Sequence, residues 1–584
     1  MQKKWVVLPP APQEFLEQFP SIHSVGASLL YHRGLKTQET IDKFLSPDYS
    51  RDMHDPFLFK DMRRAVTRII TAIKQKEKIV VHGDYDADGV TASTILVSCL
   101  NRLGAVTDVF LPHREIDGYG LNMDTVRLLA SDSAKLIITC DCGVSNTEEV
   151  ALAQSLGVDV IITDHHSIPA KLPPAYAIVH PKIENETYPD KTLSGGGVAF
   201  KLMQGLMRMA PEALGITIEN IESYEKWMLD LVAISSVADM VPLLGESRLL
   251  TKYGLTVLNK TRRLGLKTML TRLNAQGRFK EFGVQQIGFQ IAPRINAAGR
   301  MKHANTAYQL LMAETQAEAE ALMDELEKSN TDRQKTSARM FEEAVELIEK
   351  NQLARKMVIV VYKDGWAPGL VGLIASRIKD QYEKPTFVMT QNHGEIMGSG
   401  RGIDAWNMIA AIQKMPELFG KFGGHPQACG LTLASPDLLE SFALRINERA
   451  EEELKGVDVS PVLSIDAELS LRQVDWEFYD FTRQFEPFGQ HNSSPLFLIR
   501  KVTIQDVRAL GKDGQHLKLK VHDGAGTTRG VIGFCFGDEE KKGVNWCTAL
   551  KLGDILDIVV EVEVNEWNGN RELQLILKDV RFTH

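Results

Sequence analysis

The chain has 584 residues, 44% hydrophobic, 24% charged and 7% aromatic; it is too long for a single hydrophobic core and too apolar for a disordered polymer, so about two to four folded domains are expected. Sixty-seven Lys and Arg residues against 76 Asp and Glu give a formal charge of −9, which excludes a global positive field and leaves any nucleic-acid contact to local basic patches. The six cysteines, Cys99, Cys140, Cys142, Cys429, Cys535 and Cys547, include no CxxC pair, which argues against a disulfide framework and a zinc ribbon and fits a reducing compartment.

Residues 1 to about 50 read as helical and carry no chemical signature. The opening Met1-Gln-Lys-Lys-Trp-Val-Val-Leu-Pro-Pro10 has a basic pair without the apolar run of a signal peptide, and no stretch reaches the roughly 18 apolar residues of a spanning helix; a cytoplasmic protein without membrane association is expected. From about residue 60, β-branched runs alternate with amphipathic helices. Lys78-Ile-Val-Val-His82 precedes a helical run from Val90, and Val106-Thr-Asp-Val-Phe-Leu111, Leu136-Ile-Ile-Thr139 and Val158-Asp-Val-Ile-Ile-Thr163 follow. Such continuous apolar strands between helices predict a parallel sheet covered on both faces, a doubly wound α/β domain that binds ligands at the carboxyl ends of its strands.

The segment from about 305 to 352 is rich in Ala, Glu, Leu and Lys, with Leu322, Leu326, Phe341, Ala344 and Leu347 at helical spacing, and predicts a long helix joining two lobes. A second α/β lobe is expected from the strand Met357–Tyr362, a helix over Gly369–Ile378 and the strand Pro385–Met389. After about residue 460 the texture changes to His516–Val521, Ile555–Glu563 and Arg571–Leu577, the last following a turn at Asn568-Gly-Asn570. Several short strands in this region predict a small β-barrel, with the OB-fold as the leading arrangement.

Acidic and histidine residues stand where successive predicted parallel strands end. His82-Gly-Asp84-Tyr-Asp86-Ala-Asp88-Gly89 follows the first, Cys140-Asp141-Cys142-Gly143 the third and Asp164-His165-His166-Ser167 the fourth. Strand ends of one sheet converge, so these groups should share a cleft, and that many carboxylates together are unfavourable unless cations neutralise them. Mixed Asp and His ligands without thiolate suit manganese or magnesium, and more than four candidate ligands suggest two ions, a pairing that hydrolyses phosphodiesters. A single Asp after a strand is usually a helix cap, which three clusters at successive strand ends make a poor account. Cys140 and Cys142 could form a thiol site but read better as small buried hydrophobes beside a turn.

Asp86-Ala-Asp88-Gly89, the lone Asp141 and Asp164-His165-His166 resemble the motifs of the DHH phosphoesterase superfamily. Val237-Ala-Asp239-Met-Val-Pro242 resembles its next motif, and Phe422-Gly-Gly-His425-Pro-Gln-Ala-Cys-Gly430 the glycine-rich signature of the accompanying DHHA1 domain. Over about residues 30–584, motif order and spacing are similar to those of the superfamily's bacterial single-strand-specific exonucleases. The resemblance implies an N-terminal helical segment (1–50), a parallel-sheet DHH catalytic domain (51–305), a long connecting helix (306–355), a smaller α/β DHHA1 domain (356–455) and an OB-fold nucleic-acid-binding barrel (456–584). It implies two divalent ions, Mn2+ or Mg2+, one held by His82, Asp86 and Asp141 and the other by Asp88, Asp141, His165 and Asp239. Asp84 and Asp164 would orient histidine ligands, and His166 would contact the scissile phosphate and stabilise its developing charge. The nucleophile is then a hydroxide, and no Ser or Cys nucleophile is required.

Four further segments place polar groups on what read as turns: Pro112-His-Arg114 ahead of Asp117-Gly-Tyr-Gly120, Pro293-Arg294-Ile-Asn296-Ala-Ala-Gly299-Arg300, Gly398-Ser399-Gly400-Arg401, and Gly423-Gly424-His425-Pro426. Glycine permits close backbone approach, and Arg and Ser supply charge-assisted bonds to phosphate. The resemblance implies that Arg114, Ser399 and Arg401 form a pocket for the terminal 5′ phosphate, with Asn296, Arg300 and His425 along the strand. Taken alone, Gly398–Arg401 would be an ordinary turn with a surface arginine. Gly195-Gly-Gly-Val198, opening an apolar helix, reads equally as an anion site at a helix N-terminus or a tight loop.

In the barrel, Lys518 and Lys520 share a strand face and Phe534, Phe536 and Trp546 offer stacking surfaces, which with the family pattern favours single-strand binding over a structural or protein-binding module. The loop Glu486–Pro495 departs from a family loop that usually carries Gly-Asn-Pro, at Gln490, His491 and Ser493. The expected activity is hydrolysis of single-stranded DNA from 5′ to 3′ by a two-metal mechanism, in recombination and repair, beside a single-strand-binding protein and a helicase. The polarity rests on the resemblance. An RNA or short-oligonucleotide phosphodiesterase and a catalytically silent DNA-binding scaffold are the alternatives; the full set of ligands argues against the second.

Overall fold

The computed structural model describes residues 3–114, 116–301, 303–567 and 570–583, so the turn expected at Asn568-Gly569 lies outside the described residues. The chain divides into two compact units, one spanning Asp48–Lys455 and the other made of Met1–Pro47 with Gly456–His584.

In the larger unit, five strands lie side by side in the order Val106–Phe110, Lys78–Gly83, Ala134–Cys140, Asp159–Thr163 and Ala177–Val179, all parallel. The two-residue period of the strands splits their side chains between two cores. Ile79, Val81, Leu136, Ile138 and Ile161 are buried with the helices Met62–Gln75, Ala87–Arg102 and Gly195–Leu214. Val80, Ile137, Val160 and Ile162 face the other way, against Val126 and Leu129 of the helix Met123–Ser131 and Val150 and Ala153 of Thr147–Ser155. Burial on both faces is why the strands read as unbroken apolar runs. The first strand sits between the second and third, so successive connections leave it toward opposite sides; the crevice that opens there, at the carboxyl ends of Lys78–Gly83 and Ala134–Cys140, is where such sheets take ligands.

The helix expected over 305–352 is interrupted. Asn305–Met312 ends first, and the Thr315 side chain accepts from the Glu318 amide to cap a 35-residue helix, Gln316–Lys350; a side-chain cap offers the backbone a stop that apolar spacing alone does not reveal. This helix gives Ala319, Met323 and Leu326 to the parallel-sheet core and Met340, Ala344 and Ile348 to the core of the second lobe. The second lobe has a mixed sheet, ordered Phe419–His425, Ala428–Leu433, Glu395–Arg401, Thr386–Asn392 and Ile359–Tyr362, with only the last pair parallel.

Three segments expected as turns are not turns. Gly398–Arg401 lies in the strand Glu395–Arg401, Gly423–His425 closes the strand Phe419–His425, and Pro293–Arg300 lies in the helix Ala292–Met301, entered through a π-helical turn at Ile287–Ile291. The strand glycines make room for neighbours: a Cβ on Gly398 would stand 2.6 Å from Met389 Cγ and one on Gly400 2.5 Å from Met408 Sδ. Glycine that signals a turn locally can therefore mark close packing inside a sheet. Proline near the start of a helix sacrifices little, and the π turn absorbs the local irregularity.

In the smaller unit, Phe497–Leu510, His516–His522, Thr528–Gly533, Asn570–Phe582 and Ile555–Trp567 pair in sequence around a sheet that closes where the first meets the last, giving a five-stranded barrel. The first 50 residues are not wholly helical: Lys4–Val7 is a strand that pairs in parallel with Val462–Ile465. Arg33 fastens this segment, donating to Asn492 Oδ1 at 2.9 Å and to the Ser493 carbonyl at 2.7 Å, while Asn492 Nδ2 donates to the carbonyls of Phe485 and Pro487. The departing loop Glu486–Pro495 thus anchors the N-terminal segment. Lys518 and Lys520 are exposed, but of the expected stacking surfaces Phe536 is buried (1% exposed), whereas Phe534 is 57% exposed. Among the described residues no helix is long and apolar enough to cross a membrane.

Candidate metal centre

The site is built where backbone ends meet. Asp86 caps the helix Ala87–Arg102, its Oδ1 accepting from the amides of Asp88 (2.9 Å) and Gly89 (3.2 Å). Asp88, in the first turn, is buried, and its carboxylate accepts from the Gly195 and Gly196 amides at 2.8 and 2.7 Å and from Ser235 Oγ at 2.5 Å. Gly195-Gly-Gly-Val198 opens a helix whose first amides are taken by the protein's own Asp88 side chain. Glycine is required there, since a Cβ on Gly195 would fall 2.5 Å from Asp141 Cβ and one on Gly196 2.5 Å from Ser235 Oγ.

Asp141 follows the strand Ala134–Cys140 in a left-handed conformation, φ 61°, which a non-glycine residue holds only when its surroundings enforce it. His165 Nε2 stands 3.1 Å from Asp141 Oδ1, 3.5 Å from Asp239 Oδ2 and 3.7 Å from Asp88 Oδ2, with Asp239 at the end of the helix Leu229–Ala238. Three groups of donor atoms, each within 4.8 Å of one another, could hold a cation: Asp88, His165 and Asp239; Asp141, His165 and His166; and Asp84, Asp86 and Asp141. His82 belongs to none of these groups among the described residues; it lies fully buried beside Cys142, with Nδ1 3.8 Å from Sγ. Asp164 accepts from the amides of Val144, His165 and His166 and from His166 Nδ1 at 2.8 Å.

Burial, followed by repulsion from Asp86, holds the Asp84 carboxyl well above its ordinary range; burial, Asp88 and Asp86 do the same to Asp141. Asp86 is raised by burial and Asp88, and Asp239 by burial and Asp88 to about 8. Burial lowers His82 and His165 to about 4, leaving neutral rings with lone pairs to offer. His166 differs: burial opposes its charge, but the hydrogen bond and charge of Asp164 prevail and lift it to about 9. His82 Nε2 and Asp84 Oδ1 are buried without hydrogen-bond partners. Crowded carboxylates, neutral imidazoles and orphaned donor atoms fit divalent cations of oxygen and nitrogen preference. The Cys140 and Cys142 thiols are pushed up by burial, Cys140 to about 12, so neither is a reactive thiolate.

The expected strand contacts fall partly together. Arg401 Nη1 donates to Ser399 Oγ at 2.7 Å and its Nε to Ser376 Oγ at 3.1 Å, and a Cβ on Gly372, in the first turn of the helix Val371–Tyr382, would meet Arg401 Nη2 at 2.9 Å and Ser399 Oγ at 3.2 Å. Arg300 donates to the Gly369 carbonyl at 2.6 Å, and Arg114 lies over the Tyr85 ring at 5.0 Å. Burial depresses both Arg300, to about 10, and Arg401, and the positive charge of Arg114 nearby adds to it. Asn296 departs from the expected free contact: its Oδ1 accepts from the Ala87 amide at 2.7 Å and so positions the helix that carries Asp88. His425 is exposed at its strand end, with Nδ1 accepting from the Gln427 amide at 3.3 Å.

Sequence reading missed Ser235, whose bond to Asp88 spans 147 residues; Lys182, which donates to the His165 carbonyl; and the Tyr119 hydroxyl, which contacts Asp141 and His166. Nothing local marks the first two. For Tyr119 the signal was present, a Gly-Tyr-Gly five residues beyond Arg114, but its target was not.

Three family models match the chain: the DHH family N-terminal domain over residues 78–235, the DHHA1 domain over 355–452 and the RecJ OB domain over 465–579. The chain is 38% identical to the single-stranded-DNA-specific exonuclease RecJ of Bacillus subtilis, covering 95% of this chain and 67% of that protein, and 30% identical to the RecJ of Haemophilus influenzae, covering 95% and 96%. The crystal structure of RecJ in complex with Mn2+ from Thermus thermophilus superposes with a TM-score of 0.80 at 29% identity, covering all of this chain and 80% of that one.

Proposed function

The chain belongs to the RecJ family, and from that premise we propose that it is a divalent-metal-dependent exonuclease that removes nucleotides from the 5′ end of single-stranded DNA. The observation that carries this reading is the convergence of the buried Asp88, Asp141 and His165 and the partly exposed Asp239 on one point at the strand ends of the parallel sheet. Asp88, Asp141, His165 and Asp239 would hold one ion, and Asp86 and Asp141, with Asp84 and His82 beside them, the other. Bound Mn2+ or Mg2+ would neutralise the carboxylates, activate water and polarise the phosphodiester. Ser235 and the Gly195 and Gly196 amides aim the Asp88 oxygens and spare them from rotating at the moment of reaction. Asp164 holds His166 Nδ1 and leaves the half-exposed ring facing solvent, where it would contact the scissile phosphate and stabilise charge that develops on it.

Arg114, Ser399 and Arg401 would take the terminal phosphate by charge-assisted hydrogen bonds, closing one end of the path and making cleavage exolytic. Arg300 would neutralise a backbone phosphate, and the exposed Gly423–His425 strand would lie along the nucleic acid. The exposed Lys518, Lys520 and Phe534 suit the barrel to a single strand, since cations track the backbone while an aromatic ring accepts any base. In the same reading the protein works in the cytoplasm, consistent with its six free cysteines, in recombination and repair beside a single-strand-binding protein and a helicase.

The test compares wild type with Asp141→Ala in manganese, on DNA and RNA single strands labelled at either end and on a blunt duplex. Mononucleotides released from the 5′ end of single-stranded DNA, and lost in the variant, are expected. Preference for RNA or for dinucleotides would keep the metal chemistry and overturn the substrate; equal activity in the variant would overturn the site.

A further inference from the structure

The loop between the strand Val106–Phe110 and the helix Met123–Ser131 touches the metal centre twice. At its near end Arg114 lies over the ring of Tyr85, which stands between Asp84 and Asp86. Five residues later the Tyr119 hydroxyl lies 3.2 Å from the Asp141 carbonyl oxygen, 3.1 Å from His166 Nδ1 and 3.3 Å from His166 Nε2. One hydroxyl has one proton. Donated to the Asp141 carbonyl, that proton leaves the hydroxyl oxygen packed against the His166 ring, on which Asp164 holds Nδ1 at 2.8 Å. The same oxygen thereby pins the carbonyl of the residue held at φ 61° and the orientation of the imidazole.

The loop is braced by hydrogen bonds between its two contacts and beyond the second. Asp117 Oδ2 accepts from the His113 amide at 2.6 Å, the Asn122 side chain donates to the Asp117 carbonyl, and Asn146 accepts from the Leu121 amide and donates to its carbonyl. Gly120, at φ 76°, admits the Asn146 side chain where a Cβ would stand 2.6 Å from Asn146 Oδ1. Tyr119 and His166 are both open to solvent, Tyr119 at 47%, unlike the buried carboxylates behind them, so this contact forms at the mouth of the site where a substrate enters.

We propose that Tyr119 is a positioning residue that couples the Arg114 loop to His166 and Asp141, so that an occupied terminal-phosphate pocket presents His166 for cleavage. Tyr119 holds the imidazole and takes no part in the chemistry itself. This inference rests on the reading of Arg114 as a ligand of the terminal 5′ phosphate.

The experiment uses the full-length protein in manganese with single-stranded DNA bearing a 5′ phosphate or a 5′ hydroxyl, and compares wild type, Tyr119→Phe, Tyr119→Ala and Arg114→Ala. Wild type is expected to turn over the phosphorylated strand faster. Tyr119→Phe should lose about tenfold in kcat on that strand with little change in KM, the size of one hydrogen bond made in the transition state, and should erase the kcat advantage of the phosphate. Tyr119→Ala should resemble it, while Arg114→Ala should chiefly raise KM for the phosphorylated strand. Metal-dependent thermal stabilisation equal to wild type in Tyr119→Phe would establish that fold and metal binding are intact. An unchanged kcat in Tyr119→Phe, a loss confined to KM, or a kcat loss with the phosphate advantage preserved would each overturn the proposal. Absence of any phosphate advantage in wild type would overturn the pocket reading, and the coupling with it, without reference to the variants.

Discussion

The metal centre and the glycine-rich hairpin of the second lobe belong to one compact unit and are built on opposite principles. The carboxylates Asp84, Asp88 and Asp141 are buried and gripped by amides or crowded by one another, and burial with repulsion raises Asp84 and Asp141 well above the ordinary carboxylate range. In the strand Phe419–His425 only the first residue is buried, and Gly423 and Gly424 present bare backbone to solvent. A site that takes a small, highly charged ion must be rigid before the ion arrives, because reorganising dipoles around it would consume the binding energy. A surface that follows a flexible polymer gains more from close backbone approach at many points.

The largest effect that could break this comparison is at Asp141. Asp141→Asn keeps a side chain tolerant of the left-handed conformation and removes the charge. Because the folded-state pKa of Asp141 is raised, its ionised form destabilises the metal-free protein at neutral pH. The variant should therefore be more stable than wild type in chelator, by about 1 kcal/mol or more, yet gain little from added manganese and lose activity by roughly 10³-fold or more. Denaturant melts with and without manganese check this; equal stabilisation by manganese in both proteins would show that Asp141 is no ligand.

Next in size is Ser235→Ala. Its hydroxyl reaches Asp88 and nothing in the proposed path of the DNA, so manganese affinity should fall by about 10- to 100-fold, as for other residues that orient a metal ligand, with KM for DNA unchanged at saturating metal. Arg401→Ala should do the reverse, raising KM for 5′-phosphorylated strands by roughly tenfold or more while leaving the metal titration as in wild type. The smallest contrast lies inside the hairpin. Gly424 has φ 144°, and a Cβ would stand 2.3 Å from the Ala428 carbonyl oxygen, whereas Gly423 has open space around it. Gly424→Ala should distort the hairpin and weaken DNA binding, while Gly423→Ala should stay within about 0.5 kcal/mol of wild-type stability in the same melts.

The parallel sheet was legible because both of its faces are buried, so each strand announces itself by an unbroken apolar run, and the candidate ligands Asp141 and His165 follow at the strand ends, whereas Asp239 closes a helix. The second lobe was less legible for the converse reason. Glycines that the sequence presents as turns at Gly398–Arg401 are cavities for Met389 and Met408, and only the neighbouring strands reveal it. Phe536, which composition offers as a stacking surface, is buried, and Asn296 turned out to hold the Ala87 amide.

By itself the sequence determined which residue types could bind metal and at which strand ends they stand, since apolar periodicity and helix starts are local properties of the chain. Only the tertiary structure decided which of those oxygens face one another. The anion held by Gly195 and Gly196 is Asp88, more than one hundred residues earlier, and the partner of Lys4–Val7 is Val462–Ile465 at the other end of the chain. Such pairings depend on the closing of long loops around a common core, a cost and a gain that belong to the whole fold and leave no mark on either partner's neighbours in sequence.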